Sequence, residues 1–148
     1  TMRKELKFVP LCVDRMLALV PPKLLPSGCK TLPLEAISDI DFIIPGEGSN
    51  YDIGRILRTA GVRPRVKYSV SDDYAAVAMA ECGLGMTIVP ELILKGIGGN
   101  RAAVELEPAC TRTIGIAERS IGTGSPACAA FMRFTENWVK RHSEDAIQ

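Results

Sequence analysis

The stretch from Val70 to Pro90 constrains the fold of this chain more than any other. It reads Val70-Ser71-Asp72-Asp73-Tyr74, then small apolar residues from Ala75 to Cys82, then Gly83-Leu84-Gly85 and Met86-Thr87-Ile88-Val89-Pro90. That order predicts a strand end, a helix, a glycine stop and a buried strand in quick succession. Ser71 is placed to cap the helix, its hydroxyl accepting from an orphan amide of the first turn. Asp72 and Asp73 follow where the positive end of the helix dipole favours carboxylates. Gly83 stands where a left-handed residue ends the helix at little cost. Such a unit brings a hydroxyl and free amides to the carboxyl edge of a sheet, where α/β proteins commonly hold small ligands.

The remaining segments follow the same alternation. Met16-Leu17-Ala18-Leu19-Val20, stopped by Pro21-Pro22, predicts a buried strand. Leu24 to Lys30 is loop, Pro33 to Ile37 a short helical turn, and Phe42-Ile43-Ile44-Pro45 a strand opened by Asp41. Gly46-Glu47-Gly48-Ser49-Asn50 lead into a second helix, whose Ile53, Ile56, Leu57 and Ala60 recur at i, i+3, i+4 and i+7 as one apolar face. Ser49 and Asp52 have capping-box spacing, with Asp in place of Glu. Gly61 stops this helix and Pro64 prevents its restarting. Arg65 to Val70 alternates as a strand. Beyond Pro90 the pattern predicts a short turn or helix over Glu91 to Lys95 and a loop over Gly96 to Asn100. Two strands follow, Ala102 to Leu106 and Thr113 to Ala117. Ser125 caps the last helix, with Pro126 at its first position. Ala127, Ala130, Phe131, Phe134 and Trp138 form its apolar stripe, and Lys140, Arg141 and His142 occupy its final turns. Strands alternating with helices imply an α/β fold with a largely parallel sheet.

A helix of small residues closing on Gly-Leu-Gly and entering an apolar strand that ends in proline resembles the effector-binding domain of LysR-type transcriptional regulators. Val89-Pro90 stands where that family more commonly has Leu-Pro. The strand, proline-containing loop, short helix and Phe-Ile-Ile strand of residues 13 to 45 also follow the family order. The resemblance covers roughly Leu6 to Arg141. It implies the two-lobed, type II periplasmic-binding-protein-like architecture. Residues 1–15 would be the end of lobe I and the crossover, 16–110 a complete lobe II, and 111–148 the return to lobe I with the C-terminal helix. On this reading the domain is N-terminally truncated, and the winged helix-turn-helix that reads DNA lies outside the chain. The stripe Ala127, Phe131, Phe134 and Trp138 then lacks the sheet that would cover it. Burying one large aromatic is worth about 2–3 kcal/mol, so self-association is expected.

Two strand-to-helix junctions, Pro45 to Asn50 and Val70 to Asp73, are expected at one edge of the sheet. Their helix N-termini offer amides, Ser49, Asn50 and Ser71 offer polar side chains, and Gly46 and Gly48 allow close approach. The resemblance makes these junctions the lobe II wall of a small-molecule effector cleft, formed by Pro45, Gly46, Glu47, Gly48, Ser49, Ser71 and Asp72. The alternative is that Ser49 and Ser71 merely cap helices and the glycines merely turn. Helix N-termini favour carboxylate effectors, whereas Glu47, Asp72 and Asp73 oppose them, so a polar neutral or amine-bearing effector stays open. The family also implies a homodimer through Asp52–Ala60 and Arg65–Val70. Arg55, Arg58 and Thr59 would serve there, with a solvated surface as the alternative.

Composition narrows the function further. The net charge is +1 and the basic clusters are short, Arg3-Lys4 and Lys140-Arg141-His142. That leaves no electrostatic footprint for phosphate binding, so DNA would be contacted only through a domain not present here. Five cysteines without a Cys-x-x-Cys pair read as free thiols in a reducing compartment. With His142 the lone histidine, neither a zinc set nor any cofactor is expected. No apolar run approaches the ~18 residues of a membrane span, and the N-terminus does not read as a signal peptide. A cytoplasmic protein without membrane contact is the expectation. Serine-hydrolase chemistry lacks a nearby base. Gly46-Glu47-Gly48 is not followed by Lys-Ser/Thr, and Gly83-x-Gly85 closes a helix where a dinucleotide fingerprint opens one. A ligand-sensing regulatory domain, not an enzyme, is therefore the leading expectation. The alternative is a transporter's solute-binding protein, against which the free cysteines speak; an enzyme on the same scaffold ranks third.

Overall fold

The structure, a computed structural model, describes residues 6–25, 28–97, 103–119 and 125–146. Its elements run β1 (Leu6–Leu19), a 3-10 turn (Pro22–Leu24), β2 (Thr31–Pro33), a 3-10 helix (Leu34–Asp39), β3 (Asp41–Pro45), α1 (Asn50–Ala60), β4 (Arg65–Val70), α2 (Asp73–Glu81), β5 (Thr87–Pro90), α3 (Glu91–Ile97), β6 (Ala103–Arg119) and α4 (Pro126–Ala146). The chain divides into two units, Arg15–Arg112 and the pair Thr1–Asp14 with Thr113–Gln148. β1 enters the larger unit and β6 leaves it, so the two strands carry the chain in opposite directions.

The larger unit holds a mixed arrangement of strands. β3 and β4 are parallel, paired from Asp41↔Arg65 to Pro45↔Val70 with a register shift between Phe42 and Ile43. A second sheet has the order β2-β6-β1-β5, with β1 antiparallel to β5 and β2 parallel to β6. The largely parallel sheet read from the alternation is therefore corrected to a mixed one. β6 is one continuous strand where two were predicted. Pro108 interrupts the sequence pattern, but β2 pairs no further than Glu107, so that neighbour asks no amide of Pro108. α3 continues through Gly96 to Ile97, while residues 98–100 of the predicted loop lie outside the described residues.

Alternation along β1 explains why its apolar run is unbroken. Met16, Ala18 and Val20 enter one core with Phe42, Ile53, Ile56, Leu57, Met86 and Ile88. Leu19 enters a second with Ile43, Ala76, Val77, Ala80 and Val89. A strand buried on both faces needs apolar residues at every position. Aromatic-poor composition is matched by cores of aliphatic side chains around Phe42, which is fully buried.

The Gly-Leu-Gly stop has a physical account at each glycine. Gly83 takes φ 80°, and its amide and that of Leu84 close onto Ala80 O at 2.9 Å and Met79 O at 3.1 Å. At Gly85 a Cβ would lie 2.6 Å from Asp41 O. Its absence lets Met86 N donate to Asp41 O at 2.8 Å, and Ile43 N to Met86 O at the same distance.

In the smaller unit, Ser125 Oγ accepts from Cys128 N at 3.2 Å, the predicted cap. The predicted stripe of α4 is exposed: Phe131 and Phe134 are 62% accessible and Trp138 49%, while Met132 is buried. The helix runs on to Ala146, so Lys140, Arg141 and His142 stop short of its end. The His142 ring stacks on Trp138 at 4.3 Å between centroids.

Candidate functional site

Parallel pairing of β3 and β4 decides where the two junctions lie. Pro45 sits opposite Val70, so both chains leave their strands at the same edge. The ladder continues past the strands: Gly46 N donates to Val70 O at 2.6 Å and Glu47 N to Ser71 O at 3.2 Å. The corner before α1 and the corner before α2 are thus adjacent, hydrogen-bonded segments.

Both predicted serine caps are corrected. α2 is capped by Asp72, in extended backbone at φ −148°, whose Oδ1 accepts from Ala75 N at 2.9 Å. Ser71 lies one residue too early and donates instead to Asp72 Oδ2 at 3.2 Å. A charged acceptor in the cap position also meets the positive helix end. Ser49 precedes α1 but has helical backbone, φ −75° and ψ −3°, and makes no cap bond. Its side chain is therefore turned away from its own first turn, and the capping box with Asp52 does not form.

Ser49 is instead tied to Asp73. Asp73 Oδ2 accepts from Ser49 Oγ at 3.1 Å and from Ser49 N at 3.2 Å. Ser49 is fully buried and Asp73 is 7% accessible. Gly48, at φ +72°, passes so close that a Cβ there would lie 2.3 Å from Asp73 Oδ2. Asn50 Nδ2 donates to Gly46 O at 3.4 Å. Gly46, Glu47, Gly48, Ser71 and Asp72 are exposed, and Pro45 is buried behind them. Residues 45–51 and 70–75 include Glu47, Asp72 and Asp73 and no Lys, Arg or His, so the face they present is acidic.

Asp73 lies in the first turn of α2 as expected, but its burial and its bond to Ser49 were not foreseen. A signal was available: Asp73, Ala76, Val77 and Ala80 recur at i, i+3, i+4 and i+7, and all four are buried. An acid in phase with the inward face of a helix requires an internal partner.

Several charges elsewhere in the unit are paired. Asp41 accepts from Arg65 Nε and Lys67 Nζ, each at 2.7 Å, and the Lys67 bond and the Arg65 charge hold its carboxyl below the usual range. Arg15 grips Glu91 through two nitrogens at 2.9 and 2.7 Å, which lowers the Glu91 carboxyl likewise. Arg55, Arg58 and Thr59 are exposed on α1, and Arg55 Nη2 donates to Thr111 O at 3.0 Å. Arg55 and Thr59 also border a surface cavity of about 420 Å³ with Leu34, Ile56, Pro108 and Cys110. Burial pushes the Cys110 thiol up. A second cavity, about 530 Å³, lies between Arg15, Thr31 and Glu105. Neither is lined by a corner residue. All five cysteines are free, and among the described residues no group of His, Cys, Asp or Glu is arranged to hold a metal ion.

Paired strands delivering two helix N-termini to one edge, with two long strands crossing to a second unit, define a type II periplasmic-binding-protein-like ligand-binding fold. Within that class the chain belongs to the LysR substrate binding domain family, whose model matches residues 2–140. It is the effector-binding part of LysR-type transcriptional regulators. The effector-binding domain of QuiR in complex with shikimate is 22% identical at a TM-score of 0.78, covering 96% of this chain and 70% of that one. The regulatory domain of CcmR from Synechocystis PCC6803, in complex with 2-PG, is 16% identical at 0.80, covering 95% and 71%. Full-length CbnR complexed with its target DNA is 20% identical at 0.70, covering 95% of this chain and 50% of that one. No curated protein matches the sequence. The solute-binding alternative shares the fold and is not favoured by these matches. No described helix is long and apolar enough to cross a membrane.

Proposed function

We infer that the acidic, amide-rich edge formed by the two corners is one wall of the effector site. Gly46, Glu47, Gly48, Ser71 and Asp72 present the surface, and Pro45 and Ser49 support it from behind. The single observation carrying this reading is the register of Pro45 with Val70, continued by the Glu47 N to Ser71 O bond. An effector binding one arrangement of the domain more tightly than another shifts that equilibrium, and a winged helix-turn-helix outside this chain reads the shift out on DNA. The domain binds and does not catalyse. A cytoplasmic setting follows from DNA as the parent regulator's partner and fits five free cysteines. The exposed outer face of α1, with Arg55, Arg58 and Thr59, is our choice for the contact between copies in a homodimer.

The test is an amide-resolved NMR titration of the chain with small polar metabolites, beginning with shikimate and 2-PG. A binding effector shifts the amides of Gly46 to Ser49 and Ser71 to Asp73. Shifts confined to the cavity around Arg55, Ile56 and Pro108 would move the site there and sink the corner reading.

A further inference from the structure

We propose that Asp73 is the positioning residue of this effector wall: it bolts the two corners together and sets the shape of the Gly46–Ser49 turn without touching the effector. The proposal rests on the reading of the corners as the wall. Asp73 belongs to α2, yet both hydrogen bonds to its Oδ2 come from Ser49, at the start of α1. The position an outside anion would take at the Ser49 amide is already filled by the protein's own carboxylate. Asp73 Oδ1 is buried with no hydrogen-bond partner among the described residues. A carboxylate satisfied on one oxygen and desolvated on the other is a poor stabiliser of the fold. What it does supply is geometry: one oxygen accepts from both the amide and the hydroxyl of Ser49, and it presses on Gly48, where no Cβ fits. Gly48 therefore holds its left-handed turn against the carboxylate, and the Glu47 amide stays aligned on Ser71 O.

Amide hydrogen exchange on the whole chain tests the bolt without any ligand. Asp73→Ala is expected to raise exchange at Ser49, whose amide donates to Asp73, and at Glu47, whose amide donates to Ser71 O, by about tenfold or more while the amides of Ala78 to Cys82 in α2 stay unchanged. Asp73→Asn keeps an acceptor for Ser49 and is expected to restore protection to within about threefold, with the melting temperature little moved. That rescue separates positioning from bulk stability. If Asp73→Ala does not fold, Gly48→Ala in the otherwise unaltered chain must open the same two amides, because its Cβ displaces Oδ2. Unchanged exchange at Glu47 and Ser49 in these variants overturns the proposal. A wild-type titration whose shifts are confined to the cavity around Arg55, Ile56 and Pro108 overturns the effector reading instead, so the two failures are told apart.

Discussion

α1 and α4 carry the same kind of apolar stripe and meet opposite fates. Ile53, Ile56 and Leu57 of α1 are 0%, 4% and 5% accessible, whereas Phe131, Phe134 and Trp138 of α4 are 62%, 62% and 49%. Among the described side chains of α4 the buried position is Met132, next in sequence to an exposed phenylalanine and so about 100° around the helix from it. Periodicity identifies a helix and the face that would bury, but whether anything covers that face is settled by neighbours far away in sequence. α1 has them in Phe42, Met86 and Ile88.

The sharpest break of this contrast is a pair of aromatic truncations. Phe42→Ala is expected to cost about 3–5 kcal/mol by urea denaturation, and Phe131→Ala within about 0.5 kcal/mol at concentrations below those at which the chain associates. Equal losses there would mean that the α4 stripe is covered within a single copy. Gly85→Ala should fall between, at about 1–3 kcal/mol, because the added methyl meets the backbone oxygen of Asp41 and not a movable side chain. The stripe itself is tested by sedimentation at micromolar concentration. The unaltered chain is expected to associate, and the triple variant Phe131→Ser, Phe134→Ser, Trp138→Ser to lose that association. A monomeric unaltered chain removes the stripe as a contact, while a dimer surviving the triple variant points to the α1 face.

The smallest effect concerns charge on the unit that holds α1. Asp41 and Glu91 have folded-state carboxyls held low by Lys67 and Arg15. Their contribution is fully present above the unfolded values of roughly 4 and is lost as pH falls through the lowered folded ones. The drop in melting temperature from pH 6 to pH 3 should accordingly be smaller in the Asp41→Asn, Glu91→Gln variant. Since both pairs are solvent-facing, the difference is expected to be no more than ~2 °C. An equal or larger drop in the variant would assign the acid sensitivity to other carboxylates.

How far the fold was legible varies by element for identifiable reasons. β3, β4, α1 and the Ser125 cap follow from local pattern, and they lie where that pattern predicts. β6 is one strand, Ala103–Arg119, where local pattern reads two, because the pairing that carries it through Pro108 is invisible in one sequence. Position alone favoured Ser71 and Ser49 as caps. Backbone dihedrals decided otherwise, giving the cap of α2 to Asp72 and turning Ser49 towards another helix.

From sequence alone came the family resemblance, the α/β class and the two junctions as candidates, because glycine stops, proline ends and apolar periodicity are properties of consecutive residues. Tertiary structure alone decided that Ser49 and Asp73, twenty-four positions apart, share a buried carboxylate. It also decided that the α4 aromatics face outward. Both outcomes depend on which segments the sheet brings side by side, and strand register is a long-range choice that local chemistry constrains but does not make.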